Sequence, residues 1–292
     1  MIQLDCVISM RNKGAMMFFR KLFAAMRAPA APQKNADLEY PLETEEKLSR
    51  LHARAAVGRH LDILHGDLRI GAERYVDLHS RCLERTGTPL TPYTVFQRFQ
   101  TRRDLLQYFM ATLDVPGGRA ECGTYRGATA LLLCHAWRSV RPAFDGEGFY
   151  LVDSFSGTAE STAHDLIPVR EPGGETRMAP FFKAGKTDIT ADLVRGYFGD
   201  FPRTRICAGW VPQVFAQLPD TAWAFVHVDL TLYEATLAAL RYFHSRLAPG
   251  GVLVCSGTLF CPGVQQAVDE FSQAHDAPYV VLGYGERVFL KA

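Results

Sequence analysis

The chain has 292 residues, 48% hydrophobic and 22% charged, the profile of an ordinary globular protein with one large core. Its 32 Lys and Arg nearly cancel its 31 Asp and Glu, so no net field draws it toward nucleic acid or a membrane, and a small specific ligand is the expected partner. Seven cysteines, odd in number and without a C-x-x-C pair, point to reduced, buried thiols and a cytoplasmic location, not to a disulfide framework.

In chain order, Asp5 and Arg11 to Lys13 interrupt the apolar run a signal peptide needs, and no later stretch is long and apolar enough to span a membrane. Met16 to Arg27 reads as an amphipathic helix on a membrane surface, a helix docking on protein, or a frayed terminus. Ala28 to Asn35 is Pro- and Ala-rich and reads as a linker, so residues 1–40 are expected to form a flexible N-terminal segment. Residues 41–115 read as a helical extension, with helices over Thr44 to His65 and Ala72 to Arg85. Three roles are open to it: a lid, a wall for a substrate, or a contact in a homo-oligomer.

Residues 116–292 change character. Short apolar runs alternate with amphipathic helices, the sign of a mostly parallel sheet covered on both faces, a Rossmann-like α/β fold. The expected strands end at Glu121 and cover Phe149 to Asp153, Thr204 to Ala208, Ala224 to Asp229 and Val252 to Cys255. The expected helices cover Thr124 to Ser139, Ile189 to Phe198, Val211 to Gln217, Leu232 to Leu247 and Val264 to His275. Tyr279 to Leu282 and Arg287 to Leu290 are joined too tightly for a parallel crossover and predict a C-terminal antiparallel hairpin. A parallel sheet ending this way is the arrangement of class I methyltransferases.

The ligand signal begins at AECGTYRGATALLL from Ala120, where Glu121, Gly123, Thr124 and Gly127 lie between a strand end and a helix start. Tyr125 stands where a dinucleotide motif has its middle glycine, so a ligand without phosphates fits better. Glu121 can accept from the ammonium of a methionine moiety. Asp153, followed by Ser154, ends the next strand, where a carboxylate can accept from ribose hydroxyls; a helix cap is its other reading. Gly209 and Trp210 follow the third strand and can meet an adenine ring, with core packing as the alternative for the tryptophan.

Together with YLVDSFSG from Tyr150, FVHVDLTLYEATLAALRYFHSRLAPGGVLV from Phe225 and PGVQQAVDEF from Pro262, these residues make the chain resemble the macrocin O-methyltransferase (TylF-like) family. The resemblance implies S-adenosylmethionine as cofactor and a hydroxyl on a sugar or other natural product as methyl acceptor. It also implies a magnesium ion held by an H-x-D-x-D-L-Y-E motif and an Asp-Asp pair after the fifth strand. Here Asp229 keeps the first aspartate, but Thr231 replaces the second, and Ser256 and Gly257 stand where the pair belongs. A hard divalent cation needs several oxygen ligands, preferably anionic, so no metal is expected. Asp229 and His227 are then the candidate catalytic bases; a helix cap and a core histidine are their structural readings. Ser156 to Lys186 is expected to be a mobile polar loop over the ligand side. Two other functions are also open: a catalytically silent relative that binds the cofactor or a partner, and a repurposed enzyme that uses the bound sulfonium in another reaction.

Overall fold

The computed structural model describes residues 68–70, 73–89, 98–170, 174–185 and 189–292. The readings for Met16 to Arg27, Ala28 to Asn35 and Thr44 to His65 lie outside the described residues. A two-stranded ribbon, β1 (Arg69–Ile70) with β2 (Glu73–Arg74), leads into helices α1 (Tyr75–Thr86) and α2 (Arg98–Ala111). The ribbon occupies the start of the helix expected from Ala72. Helix α1 ends where Gly87 takes φ 59°, a left-handed cap that glycine adopts without strain.

The alternating part follows as β3 (Gly118–Cys122), α3 (Ala128–Val140), β4 (Phe149–Asp153), β5 (Leu166–Arg170), β6 (Thr176–Pro180), α4 (Ala191–Tyr197), β7 (Arg205–Ala208), β8 (Trp223–Val228), α5 (Tyr233–His244), β9 (Leu247–Cys255), α6 (Pro262–His275), β10 (Tyr279–Val281) and β11 (Arg287–Leu290). Seven strands form the main sheet in the order β10-β11-β9-β8-β3-β4-β7. The five strands from β9 to β7 run parallel, and β11 pairs antiparallel with both β9 and β10. The terminal hairpin is therefore as expected. Strands β3 and β8 are buried along their whole lengths, so WAFVHV reads as a near-continuous apolar run, while GRAEC buries the charged Arg119 and Glu121 between its small residues.

Two differences from the sequence reading matter for the site. Helix α2 is not apparent from hydrophobic period, because its buried side includes Gln100, Thr101 and Arg102 among Leu105, Leu106 and Phe109. Phe109 nonetheless secures it: fully buried, it meets Trp137 of α3, Phe149 of β4 and Phe225 of β8 at ring separations of 5.8, 6.1 and 5.2 Å. Removing such an aromatic side chain costs about 3–5 kcal/mol. The second difference is the stretch from Ser156 to Lys186. It is not a plain loop but carries the β5–β6 hairpin.

Candidate functional site

The strand order reverses direction of growth at β3, with β4 on one side and β8 on the other, and open α/β sheets bind ligands at the carboxyl ends of strands at such a point. Backbone bonds tie these ends together: Gly123 N–H donates to Val152 at 2.8 Å, Asp229 to Cys122 at 2.8 Å, Ser256 to Val228 at 2.8 Å and Gly209 to Asp153 at 2.9 Å. Gly123 has φ +94°, and a methyl there would stand 2.3 Å from the carbonyl oxygen of Asp229. A methyl at Gly127, φ +82°, would stand 2.8 Å from the Phe198 ring. Both glycines are thus required by close packing of the turn.

Register places a row of polar side chains on the face covered by α2 and α3. Glu121 is directly paired with His227, and His227 with Val254, two residues before Ser256. Because Arg287 pairs with Cys255, Glu286 stands opposite Ser256. Side chains two apart on a strand share a face, so Phe225, His227 and Asp229 follow one another on this side. Glu121, His227 and Ser256 are 2%, 1% and 3% exposed. His227 Nδ1 lies 2.8 Å from Glu121 Oε1 and its Nε2 lies 3.0 Å from Ser256 Oγ. A carboxylate only accepts, so Nδ1 carries the proton given to Glu121. The other Glu121 oxygen accepts from Ala130 N–H at 3.2 Å, in the first turn of α3.

Above this row is a cleft whose lining includes Glu121, Gly123, Thr124 and Asp229 with Arg98 and Arg102 from α2. The Arg98 guanidinium forms a hydrogen-bonded ion pair with Asp229. Burial alone would push the Asp229 carboxyl up, but Arg98, with His227 and Arg102 near it, outweighs burial and holds it below the ordinary carboxylate range. Arg102, 6% exposed, is held by Thr129 Oγ1 at 2.9 Å and His79 Nε2 at 3.2 Å. Burial and then Arg102 push His79 well below the usual imidazole range, which keeps it a neutral partner. At the far end of the row, burial raises Glu286 from 4.5 to about 7, and its Oε2 is buried without a hydrogen bond.

Asp153 reaches the cleft through the backbone. Its two oxygens accept from Tyr125 N–H at 2.8 Å and Phe155 N–H at 2.9 Å, and Tyr125 takes φ +50° to make the turn. Each oxygen retains lone-pair capacity for a ribose hydroxyl. Ser154 turns its hydroxyl to Gly157 O at 2.8 Å. Gly209 and Trp210 lie one strand further out, beyond the cleft lining, and Trp210 is 45% exposed, so it is not a core tryptophan.

Several side chains serve other ends than their sequence context suggested. Asp165, in the stretch read from sequence as a mobile polar loop, is 4% exposed: it accepts from Tyr233 N–H at 2.7 Å at the start of α5 and closes a capping box with Thr162. Its neighbour His164 stacks on Tyr233 with ring centroids 4.1 Å apart. The six described cysteines are buried and unbridged, and burial pushes the Cys261 thiol up to about 12, so they are packing residues as expected. Sequence reading missed Arg98, Arg102 and Glu286, since neither helix α2 nor the face-sharing of Glu286 with Ser256 is visible before strands are paired.

The residues at the position of the family's metal do not suit a hard cation. Asp229 is already paired with a guanidinium, Ser256 directs its hydroxyl to His227, Gly257 has no side chain, and Thr231 supplies no charge. Among the described residues no cluster of three His, Cys, Asp or Glu could hold a metal ion. The donor set does suit an amino-acid nucleoside: carboxylates at Glu121 and Asp153 for ammonium and ribose, and a glycine turn at the start of α3.

The profile of the macrocin O-methyltransferase (TylF) family matches residues 71–281. A Streptomyces olivaceus protein, 8-demethyl-8-(2,3-dimethoxy-alpha-L-rhamnosyl)-tetracenomycin-C 4'-O-methyltransferase, is 28% identical over 162 residues, which is 52% of this chain and 58% of that one, a little over half of the relative's length. The solved O-methyltransferase NovP superposes with a TM-score of 0.58 at 19% identity, over 75% of this chain and 98% of its own. The calicheamicin methyltransferase CalS11 does so with 0.51 at 18%, over 73% and 91%. At these identities the two structures share the fold, that of class I O-methyltransferases. With a profile spanning most of its length and the fold in agreement, the chain belongs to the macrocin O-methyltransferase (TylF) family.

Proposed function

We propose that the protein is an S-adenosylmethionine-dependent O-methyltransferase that methylates a sugar hydroxyl on a glycosylated natural product without a metal ion. The observation that carries this reading is the convergence of Glu121 and Asp229 on one cleft at the point where the sheet order reverses. The rhamnosyl acceptor in the name of the Streptomyces relative supplies the acceptor class.

In this reading Glu121 holds the ammonium of the cofactor, Asp153 its ribose, and the turn from Gly123 through Thr124 to Gly127 lets its amino-acid end approach the backbone. Gly209 and the exposed Trp210, one strand beyond the cleft lining, are assigned in this reading to the adenine. Held by these residues, the cofactor would supply an electrophilic methyl group for the acceptor oxygen, its sulfur keeping the electron pair of the carbon–sulfur bond. Asp229 takes the hydroxyl proton. Its carboxyl is held low and is a weak base, but a hydroxyl becomes strongly acidic as its oxygen gains a third bond, to the methyl carbon, so a weak base positioned there suffices. His227, with both ring nitrogens engaged and 1% exposed, positions Glu121 and does not meet the acceptor.

The test is transfer of labelled methyl from S-adenosylmethionine to a panel of rhamnosyl and deoxysugar glycosides, with and without chelator, alongside calorimetric titration of the cofactor and its demethylated product. Chelator-resistant labelling of a sugar hydroxyl supports the reading. Activity abolished by chelator and restored by magnesium would overturn its metal-free part. Binding of both cofactor forms with no labelling of any acceptor would leave the silent, cofactor-binding protein as the function.

A further inference from the structure

We propose that Arg98 is the resident cation of the acceptor site, taking at Asp229 the place that the family resemblance gives to a metal ion and orienting the acceptor hydroxyl from there. The inference deepens the O-methyltransferase reading and, for its activity arm, rests on it. Three observations converge. The guanidinium of Arg98 is bonded to Asp229, the one carboxylate this chain keeps of those to which the resemblance gives the metal. Arg98 and Asp229 both line the cleft together with Glu121, so the pair faces the ligand side and is not a surface contact. The positions that have lost their acids, Thr231, Ser256 and Gly257, are the ones a fixed monovalent cation makes unnecessary: a divalent ion needs several carboxylates to balance it, whereas a guanidinium needs one.

Charge accounting and geometry agree. A planar guanidinium carries five N–H donors in a fork, so one group can hold a carboxylate and still meet a second oxygen. Arg102 lies behind it and Asp229 is the counter-ion that fixes it, an arrangement built before any ligand arrives. The reshaping of the neighbours is coordinated: Ser256, no longer a ligand, is bonded to His227 and joins the polar row beneath. Arg98 acts as a positioning residue for the acceptor oxygen, while Asp229 remains the group that takes the proton.

Two arms test this on the full chain. In the first, Mn2+ is titrated into a variant carrying Thr231→Asp, Ser256→Asp and Gly257→Asp, with Arg98 retained or changed to Ala, the fold being checked by affinity for S-adenosylhomocysteine. Mn2+ affinity should rise at least about tenfold only when Arg98 is removed, since cation and guanidinium compete for one place. Equal affinity with and without Arg98 overturns the proposal, whatever the activity of the native chain. The second arm covers the case in which those variants do not fold. On the otherwise native chain Arg98→Ala should lower kcat by roughly 10²–10³-fold, with the KM for S-adenosylmethionine within about twofold. Arg98→Lys or added ethylguanidinium should restore part of the loss. Near-native turnover of Arg98→Ala, or a loss that neither replacement restores in a folded protein, overturns the positioning role. If the native chain labels no acceptor at all, the O-methyltransferase reading fails, and the Mn2+ arm still decides where Arg98 stands.

Discussion

Glu286→Gln is expected to stabilise the protein above neutral pH while leaving it almost unchanged in mild acid. Glu286 is 4% exposed, stands opposite Ser256 in the polar row, and leaves Oε2 without a hydrogen bond. Burial is the main cause that lifts its carboxyl from 4.5 to about 7; the backbone, Arg98 and His227 pull it down, while Asp104 pushes it up, and burial wins. The folded-state value therefore lies above that of the unfolded chain. As pH climbs past about 4.5 the unfolded chain releases this proton while the folded chain keeps it, so stability declines until the folded carboxyl also ionises near 7, and then levels off. A separation of that size corresponds to about 3 kcal/mol. Glutamine keeps the shape and never ionises, so urea unfolding of the two proteins should nearly coincide at pH 4.5 and separate by up to about 3 kcal/mol at pH 8. A difference between them that is the same at both pH values would refute the reasoning, because a pH-independent effect cannot come from this proton.

Further outcomes follow from the same geometry. Glu121→Ala and Asp153→Ala should both weaken S-adenosylmethionine and S-adenosylhomocysteine in calorimetric titration, Glu121 more, since it meets a full charge and also anchors His227 and Ala130 N–H; affinities equal to wild type would remove the cofactor assignment. Gly123→Ala should cost about 3 kcal/mol or more by chemical denaturation, as a positive φ is strained for alanine and its methyl would meet the backbone oxygen of Asp229 at 2.3 Å; a change under about 0.5 kcal/mol would show that this approach is not tight. In hydrogen exchange, amides of the β5–β6 hairpin should slow when cofactor and acceptor bind, while the turn at Asp165, which caps α5, should be protected in both states. Unchanged fast exchange in the hairpin would make it an ordinary surface ribbon.

The alternating α/β order, the terminal hairpin and the stretch from Ala120 to Gly127 were legible in the sequence because each depends on local pattern: apolar runs such as β8, a joint too short for a crossover between β10 and β11, glycines between a strand and a helix. The altered motif was legible too, as Thr231, Ser256 and Gly257 are read directly against the P-G-G triplet at Pro249 to Gly251, which lies within β9. Tertiary structure alone decided what fills the altered place. Arg98 and Asp229 are far apart in the chain, and helix α2 shows no clean apolar stripe because its buried side carries Gln100, Thr101 and Arg102. Glu286 met Ser256 only through the antiparallel pairing of β11 with β9, and Asp165 became a cap only because its loop folds back onto α5. Local composition reports which residues can be buried; which charges face one another is settled by the register of strands and the docking of helices, where a single residue of slip turns a side chain to the opposite face.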